Sequence, residues 1–236
     1  VMGLFSGLHT KVAVYMLYRL YVQLFDLEQR WNVLIIVIMI ISMMIGAFGG
    51  LAENSIRRVL GYQMLNGMPF ILVMLAFTSD DPRRALAAGI MYTIHHMLTV
   101  GSLILASGAI EETYGTGLLS KLSGLARRDP IIAWIFAAGA FSVVGFPPFS
   151  GMWGKLMIVF EIARVGGAWA WIAIAAIIIA SFAAFLAMLR VWRKVFWGKG
   201  LPEDKVPDEL VIRKKLMAPS AALIPVSYTH LTLPTN

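Results

Sequence analysis

Cysteine is missing from all 236 residues, which excludes disulfides, iron–sulfur ligation and thiolate metal sites. Charge is nearly as sparse: 14% of the chain is Asp, Glu, Lys or Arg, against 59% hydrophobic residues and a mean hydropathy of +0.77. That balance lies well outside the soluble globular range. Acidic residues number 13 against 20 basic ones, for a net charge of +7. In a soluble chain such an excess would suggest a nucleic-acid partner; here the basic residues cluster at the ends of apolar runs, the positive-inside pattern of membrane proteins, and no nucleic acid is expected. Segments of ~10 residues alternating apolar and polar, the mark of a transmembrane β-barrel, are missing too. So are a glycine-rich phosphate loop, a His–Glu metal motif and a Ser–His–Asp constellation. No basic, cleavable signal segment precedes the first apolar run, and the chain opens on Val1 as an internal stretch of a longer protein would.

What the sequence does contain is continuous apolar runs, each long enough to cross a hydrocarbon core of ~30 Å, which takes about 20 helical residues. They predict an all-α, polytopic transmembrane helix bundle of six passages, in contact with the lipid bilayer. The runs lie at 2–25, 32–51, 55–77, 84–107, 130–164 and 169–191. Pro69 should kink the third, and Pro82 suits the first turn of the fourth. The connection 109–129 carries Leu118, Leu119, Leu122 and Leu125 and reads as an amphipathic segment in the interface plane. The fifth run is too long for one straight crossing, and "GFPPFSG" interrupts it at 145–151. Two prolines (Pro147, Pro148) between Gly145 and Gly151 cannot continue a helix, so a broken helix is expected, its freed carbonyls facing protein or water.

Alternating passages place Arg57, Arg58, Lys121, Arg127, Arg128, Arg190, Arg193, Lys194 and Lys199 on one side, and Arg30, Arg83, Arg84 and Arg164 on the other. The richer side is expected to be cytoplasmic, with the amino end and the tail after Val191. Residues 196–224 read as a cytoplasmic connection and the opening of a further, truncated helix. Residues 225–236 resemble translated read-through and are set aside from the fold, His230 included. Trp31, Trp169, Trp171, Trp192 and Trp197 read as interface anchors.

A charge at the bilayer centre costs ~2.5 to 3.5 kcal/mol on insertion scales, so such residues normally face a bundle interior. Lys11 lies deep in the first passage, with Tyr15 and Tyr18 one and two turns along the same face, a stripe suited to water; the alternative is a lysine snorkelling to the surface. Lys155 follows the break, where unwound backbone supplies polar groups; the alternative is a loop-end lysine at the interface. His96 shares a face with Tyr92 and Thr99, while His95 points about 100° away. Adjacent histidines of a straight helix cannot both ligate one haem or metal, so no metal site and no cofactor are expected. His96 could relay protons, its reference pKa of ~6.5 lying near neutrality; His95 reads as a buried, hydrogen-bonded supporting residue. Glu161 and Arg164 read as a local ion pair.

Four segments, "SGLHTKVAVYMLYR", "SIRRVLGY", "IHHMLTVGSLILASG" and "GFPPFSGMWGKLMIVFE", in this order and spacing, resemble the antiporter-like membrane subunits shared by Mrp-type cation/proton antiporters and the membrane arms of NADH:quinone reductases and energy-converting hydrogenases. The lysine and adjacent-histidine segments are most similar to the D-type component of Mrp antiporters. The resemblance implies the second repeat of an inverted-repeat, antiporter-like subunit, with the first repeat lying outside this chain. It matches Lys11 to the family's central-axis lysine, His96 to the histidine of the relay helix and Lys155 to the lysine beside the broken helix. Where many relatives carry a lysine four residues beyond His96, this chain has Val100; "GYQMLNGMP" replaces a commoner serine-rich pattern. The implied function is passage of protons along buried lysines and histidine, coupled to a monovalent cation such as sodium within a complex of other membrane subunits. The alternatives are a membrane-arm component of a quinone reductase or hydrogenase, which would make it part of a translocase, or an inert truncated scaffold.

Overall fold

The computed structural model describes residues 8–199 and 210–229. The opening of the first expected passage, the middle of the connection after Lys199, and the end of the tail with His230 lie outside the described residues. The chain is an all-α bundle of membrane-spanning helices. Helix α1 covers Thr10–Gln23, α2 Asn32–Ala52, α3 Ile56–Leu72 and α4 Pro82–Tyr114. A single turn, α5 (Leu125–Arg128), leads into α6 (Pro130–Val144), α7 (Ser150–Val165) and α8 (Gly167–Val191), and α9 (Lys214–Thr229) follows the connection. Among the described residues, four stretches are long and apolar enough to cross a membrane: Gln29–Ala52, Ile56–Ala76, Pro82–Tyr114 and Gly167–Phe196.

Local chemistry explains the boundaries. Asp81 caps α4 by accepting from the backbone N–H groups of Arg83 (3.0 Å) and Arg84 (3.3 Å), with Pro82 in the first turn. Gly115, at φ 67°, ends the same helix in the left-handed region. Helix α3 runs through Pro69 and tightens into a 3-10 turn at Val73–Ala76. On α2 small residues line the buried stripe: a Cβ at Gly46 would meet the backbone of Asn66, and one at Gly49 would strike the ring of Tyr62, so α3 packs close.

Two departures from the sequence reading appear. Helix α4 continues through Tyr114, because Ala109 and Ile110 are buried and Glu111 pairs with Arg57. The leucine-bearing connection is not a helix lying in the interface plane. Gly115, Gly117 and Gly124 interrupt helical periodicity, the backbone pairs with 54–56 instead (Ile56 N–H to Gly117 at 2.9 Å, Leu119 N–H to Asn54 at 2.8 Å), and Leu119, Leu122 and Leu125 turn into the core.

The buried apolar residues form two clusters stacked along the bundle. One gathers Val14, Met43, Phe70, Tyr92, Ile158 and Ile174; the other gathers Leu60, Leu103, Phe136, Val143, Met188 and Phe196. On α3, α4 and the α6–α7 pair, buried polar residues fall between the two: Gln63 and Asn66; His95, His96 and Thr99; Ser142, Ser150 and Lys155. A band of buried polar residues thus lies between the two apolar clusters.

Candidate functional site

The polar layer is organised by the interruption between α6 and α7. Gly145 takes φ 90°, a conformation closed to most side chains, and a cis peptide joins Pro147 to Pro148. A Cβ at Gly151 would collide with the Ser142 carbonyl and lie 2.9 Å from Nε2 of His95, so glycine there lets the two half-helices and α4 meet. At about 1.5 Å per residue, neither half by itself reaches across a hydrocarbon core of ~30 Å.

Lys155, 9% exposed, lies on the first turns of α7. Its Nζ donates to the Val144 carbonyl (2.7 Å) and to Ser181 Oγ (3.1 Å), and stands 5.1 Å over the ring of Phe70. Phe70 stacks on Tyr92 at 5.5 Å, and Tyr92 lies against both histidines, at 5.6 Å from His95 and 5.9 Å from His96. A groove of about 470 Å³ along Lys155, Phe146, Ser181 and Phe185 opens beside the amine.

The adjacent histidines point to different partners. His95 Nδ1 is 2.8 Å from Ser150 Oγ, and Ser150 Oγ is 3.1 Å from Ser142 Oγ. His96 Nε2 donates towards the Gln63 carbonyl on α3 at 3.4 Å, and its ring occupies the space a side chain at Gly67 would need. Gly67, part of the unusual "GYQMLNGMP", is therefore where the imidazole fits. Thr99, read from the sequence as a companion of His96, instead lies 3.4 Å from His95 Nδ1, because four residues bring it one turn above His95. Val100 is buried in the second apolar cluster.

Lys11, 6% exposed, is the second residue of α1, and its Nζ donates to Thr10 Oγ1 at 3.3 Å. The expected polar stripe divides. Tyr18 is buried and donates to the Ile71 carbonyl at 2.5 Å, passing over Gly89, whereas Tyr15 is 59% exposed with Arg19 6.0 Å over its ring. At 100° per residue, Lys11, Val14 and Tyr18 define the buried arc and Tyr15 falls on its outer edge. Tyr15 still lines a groove of about 360 Å³ shared with Lys11, Tyr18, Arg19 and Thr93. Glu161 and Arg164 stand 3.7 Å apart near the end of α7.

Sequence reasoning passes over Ser142, Ser150, Ser181 and Gln63. Ser150 stands inside the quoted "GFPPFSG", but no spacing rule says that a serine at a break points at a histidine on another helix. Among the described residues no three metal-ligating side chains converge.

The chain matches the family described as NADH:quinone oxidoreductase/Mrp antiporter, TM, over residues 1–185. It is 28% identical over 227 residues to the D component of the Na(+)/H(+) antiporter of Alkalihalophilus pseudofirmus, covering 95% of this chain and 44% of that protein. It is 29% identical over 211 residues to the N component of the NADH-quinone oxidoreductase of Hydrogenovibrio crunogenus, covering 88% of this chain and 42% of that one. Among solved structures, a chain of the Mrp complex from Dietzia sp. superposes with a TM-score of 0.87 at 33% identity, over 95% of this chain and 48% of the other. The chain thus spans less than half the length of these relatives.

Proposed function

The chain belongs to the NADH:quinone oxidoreductase/Mrp antiporter transmembrane family, and from that premise we propose that it is the proton-carrying second repeat of one membrane protein of a multisubunit Na+/H+ antiporter. Lys11, His96 and Lys155 carry the ion along the polar layer at mid-membrane depth, with Tyr92 against the imidazole, His95 and its companion Thr99 beside it, and Tyr15 at the outer rim. Protonating one site repels positive charge at the next, so charge moves sideways before it leaves. A transmembrane potential biases each such step by ~2.3 kcal/mol per charge per 100 mV. Sodium is the coupled cation, the other subunits of the complex are the partners, and the amino end and the tail after Val191 face the cytoplasm.

The observation that carries this reading is the lysine amine seated on the freed carbonyl of a broken helix inside an apolar bundle. Its test is Lys11→Ala in the full-length protein within the assembled complex. Sodium-driven proton flux in inverted vesicles should be abolished at unchanged yield of complex; unchanged flux rejects the role.

The similarity to the N component of a quinone oxidoreductase supports a second reading, in which the same chain of groups serves a membrane arm driven by quinone chemistry on other chains. Neighbouring genes distinguish the two: small antiporter subunits in one case, quinone-reductase or hydrogenase subunits in the other.

A further inference from the structure

Resting on that proton-carrying function, we infer that His95, and not His96, is the imidazole that exchanges a proton with Lys155 across the helix break, with Ser150 and Ser142 as positioning residues that hold its ring between the two half-helices.

The geometry is specific. His95 sits on the unbroken helix α4, yet its Nδ1 meets Ser150, the first residue of α7, at 2.8 Å, and Ser150 meets Ser142, in the last turn of α6, at 3.1 Å. All three side chains are buried (4%, 1% and 2% exposed), so the bonds form away from bulk water. The other ring nitrogen, Nε2, is buried without a hydrogen-bond partner among the described residues and looks onto Gly151. Lys155 stands one turn on from Gly151 along the same helix. A Cβ at Gly145 would touch both the Lys155 stem, at 3.1 Å, and the Gly151 carbonyl, at 3.4 Å. The His95 ring nitrogen and the Lys155 stem therefore both lie against the side-chain-free backbone at Gly151 and Gly145. His96 is turned away: its hydrogen bond goes to α3, and none reaches α6 or α7 among the described residues.

A buried ring nitrogen without a partner calls for an explanation, and transfer supplies one. Imidazole can accept a proton on one nitrogen and release the other from its second nitrogen, so the ring ends neutral. A water carries the released proton to the neutral Lys155 amine, and the resulting ammonium is held by the Val144 carbonyl and Ser181. One proton enters the pair at His95 and is held as the Lys155 ammonium, so the pair carries one added positive charge until Lys155 passes that proton on. The serine hydroxyls keep Nδ1 engaged whichever tautomer is present, since a hydroxyl both donates and accepts.

The experiment uses the full-length protein in its assembled complex, reading sodium-driven proton flux in inverted vesicles across pH. His95→Gln keeps a hydrogen bond to Ser150 but removes the titrating ring, and should lower flux at least tenfold at unchanged yield of complex. Ser150→Ala, which keeps the imidazole, should lower flux less and displace its pH profile, and Ser150→Thr should restore the profile. Flux within twofold of the unaltered complex in His95→Gln, with flux lost in His96→Gln, overturns the assignment and leaves the wider reading standing. Normal flux in both Lys11→Ala and Lys155→Ala sinks the wider reading itself. If His95→Gln reduces yield, Ser150→Ala decides: an unmoved pH profile rejects the proposal.

Discussion

The side-chain amine of Lys155 donates to the carbonyl of Val144 at 2.7 Å, and Val144 is the last residue of α6. A helix end leaves its final carbonyls without N–H partners and carries partial negative charge. Here the N–H groups of Gly145 and Phe146 turn back to Phe141 and Ser142, and a lysine from the second half-helix takes the carbonyl of Val144. The break and the amine are one device, because the interruption creates the acceptor that a buried ammonium needs.

Lys155→Arg follows directly. A guanidinium keeps the charge and the hydrogen bonds but does not release its proton in a protein. Assembly and thermal midpoint should stay within a few degrees of the unaltered complex while proton flux falls at least tenfold. Flux at the original level would show that Lys155 acts only as a cap.

Gly67→Ala tests the fit of the neighbouring imidazole. The new methyl would overlap the ring of His96, and overpacking of this kind destabilises by about 1–3 kcal/mol. Thermal unfolding of the complex in detergent should begin earlier. Pairing the change with His96→Ala should recover part of the loss, and an absence of recovery would contradict the assigned contact.

Gly151→Ala inserts a Cβ against the Ser142 carbonyl, a backbone atom that has little room to yield. The half-helices should separate, with loss of both transport and thermal stability, whereas Gly61→Ala, whose Cβ meets nothing within 4 Å, should leave both unchanged. Equal effects at the two glycines would argue against the close approach at the break.

Arg190→Met addresses the fold rather than transport. Arg190 donates to the carbonyls of Leu51 and Glu53 and to Asn54 Oδ1, closing the end of α2. Losing a charged donor to several acceptors should destabilise by about 2 kcal/mol. The readout is faster proteolysis near residues 51–55; an unchanged cleavage rate would mean that water replaces the guanidinium without loss.

Much of the architecture is legible in the sequence, because spanning a bilayer leaves few choices. Long apolar runs, flanking arginines and the "GFPPFSG" interruption mark α2, α3, α4, α8 and the broken helix. The far end of α4 is not legible, since Glu111 and Tyr114 look like loop residues until Arg57 and Asp129 on other segments pair with them. The connection after it misleads for a similar reason: its leucines suggest an amphipathic helix, and only the backbone of 54–56 offers the competing hydrogen bonds.

The polar layer divides the same way. Chain composition by itself determined that Lys11 and Lys155 are amines within apolar runs, because one-dimensional hydropathy registers a charge wherever it stands. The tertiary structure decided which neighbours they meet: Tyr15 at the rim and Tyr18 inside, Thr99 with His95, and Ser150 of one helix against the imidazole of another. Helical periodicity fixes which residues share a face, but the direction in which that face looks is set by packing between helices, and packing depends on side-chain volumes and glycine gaps far apart in the chain.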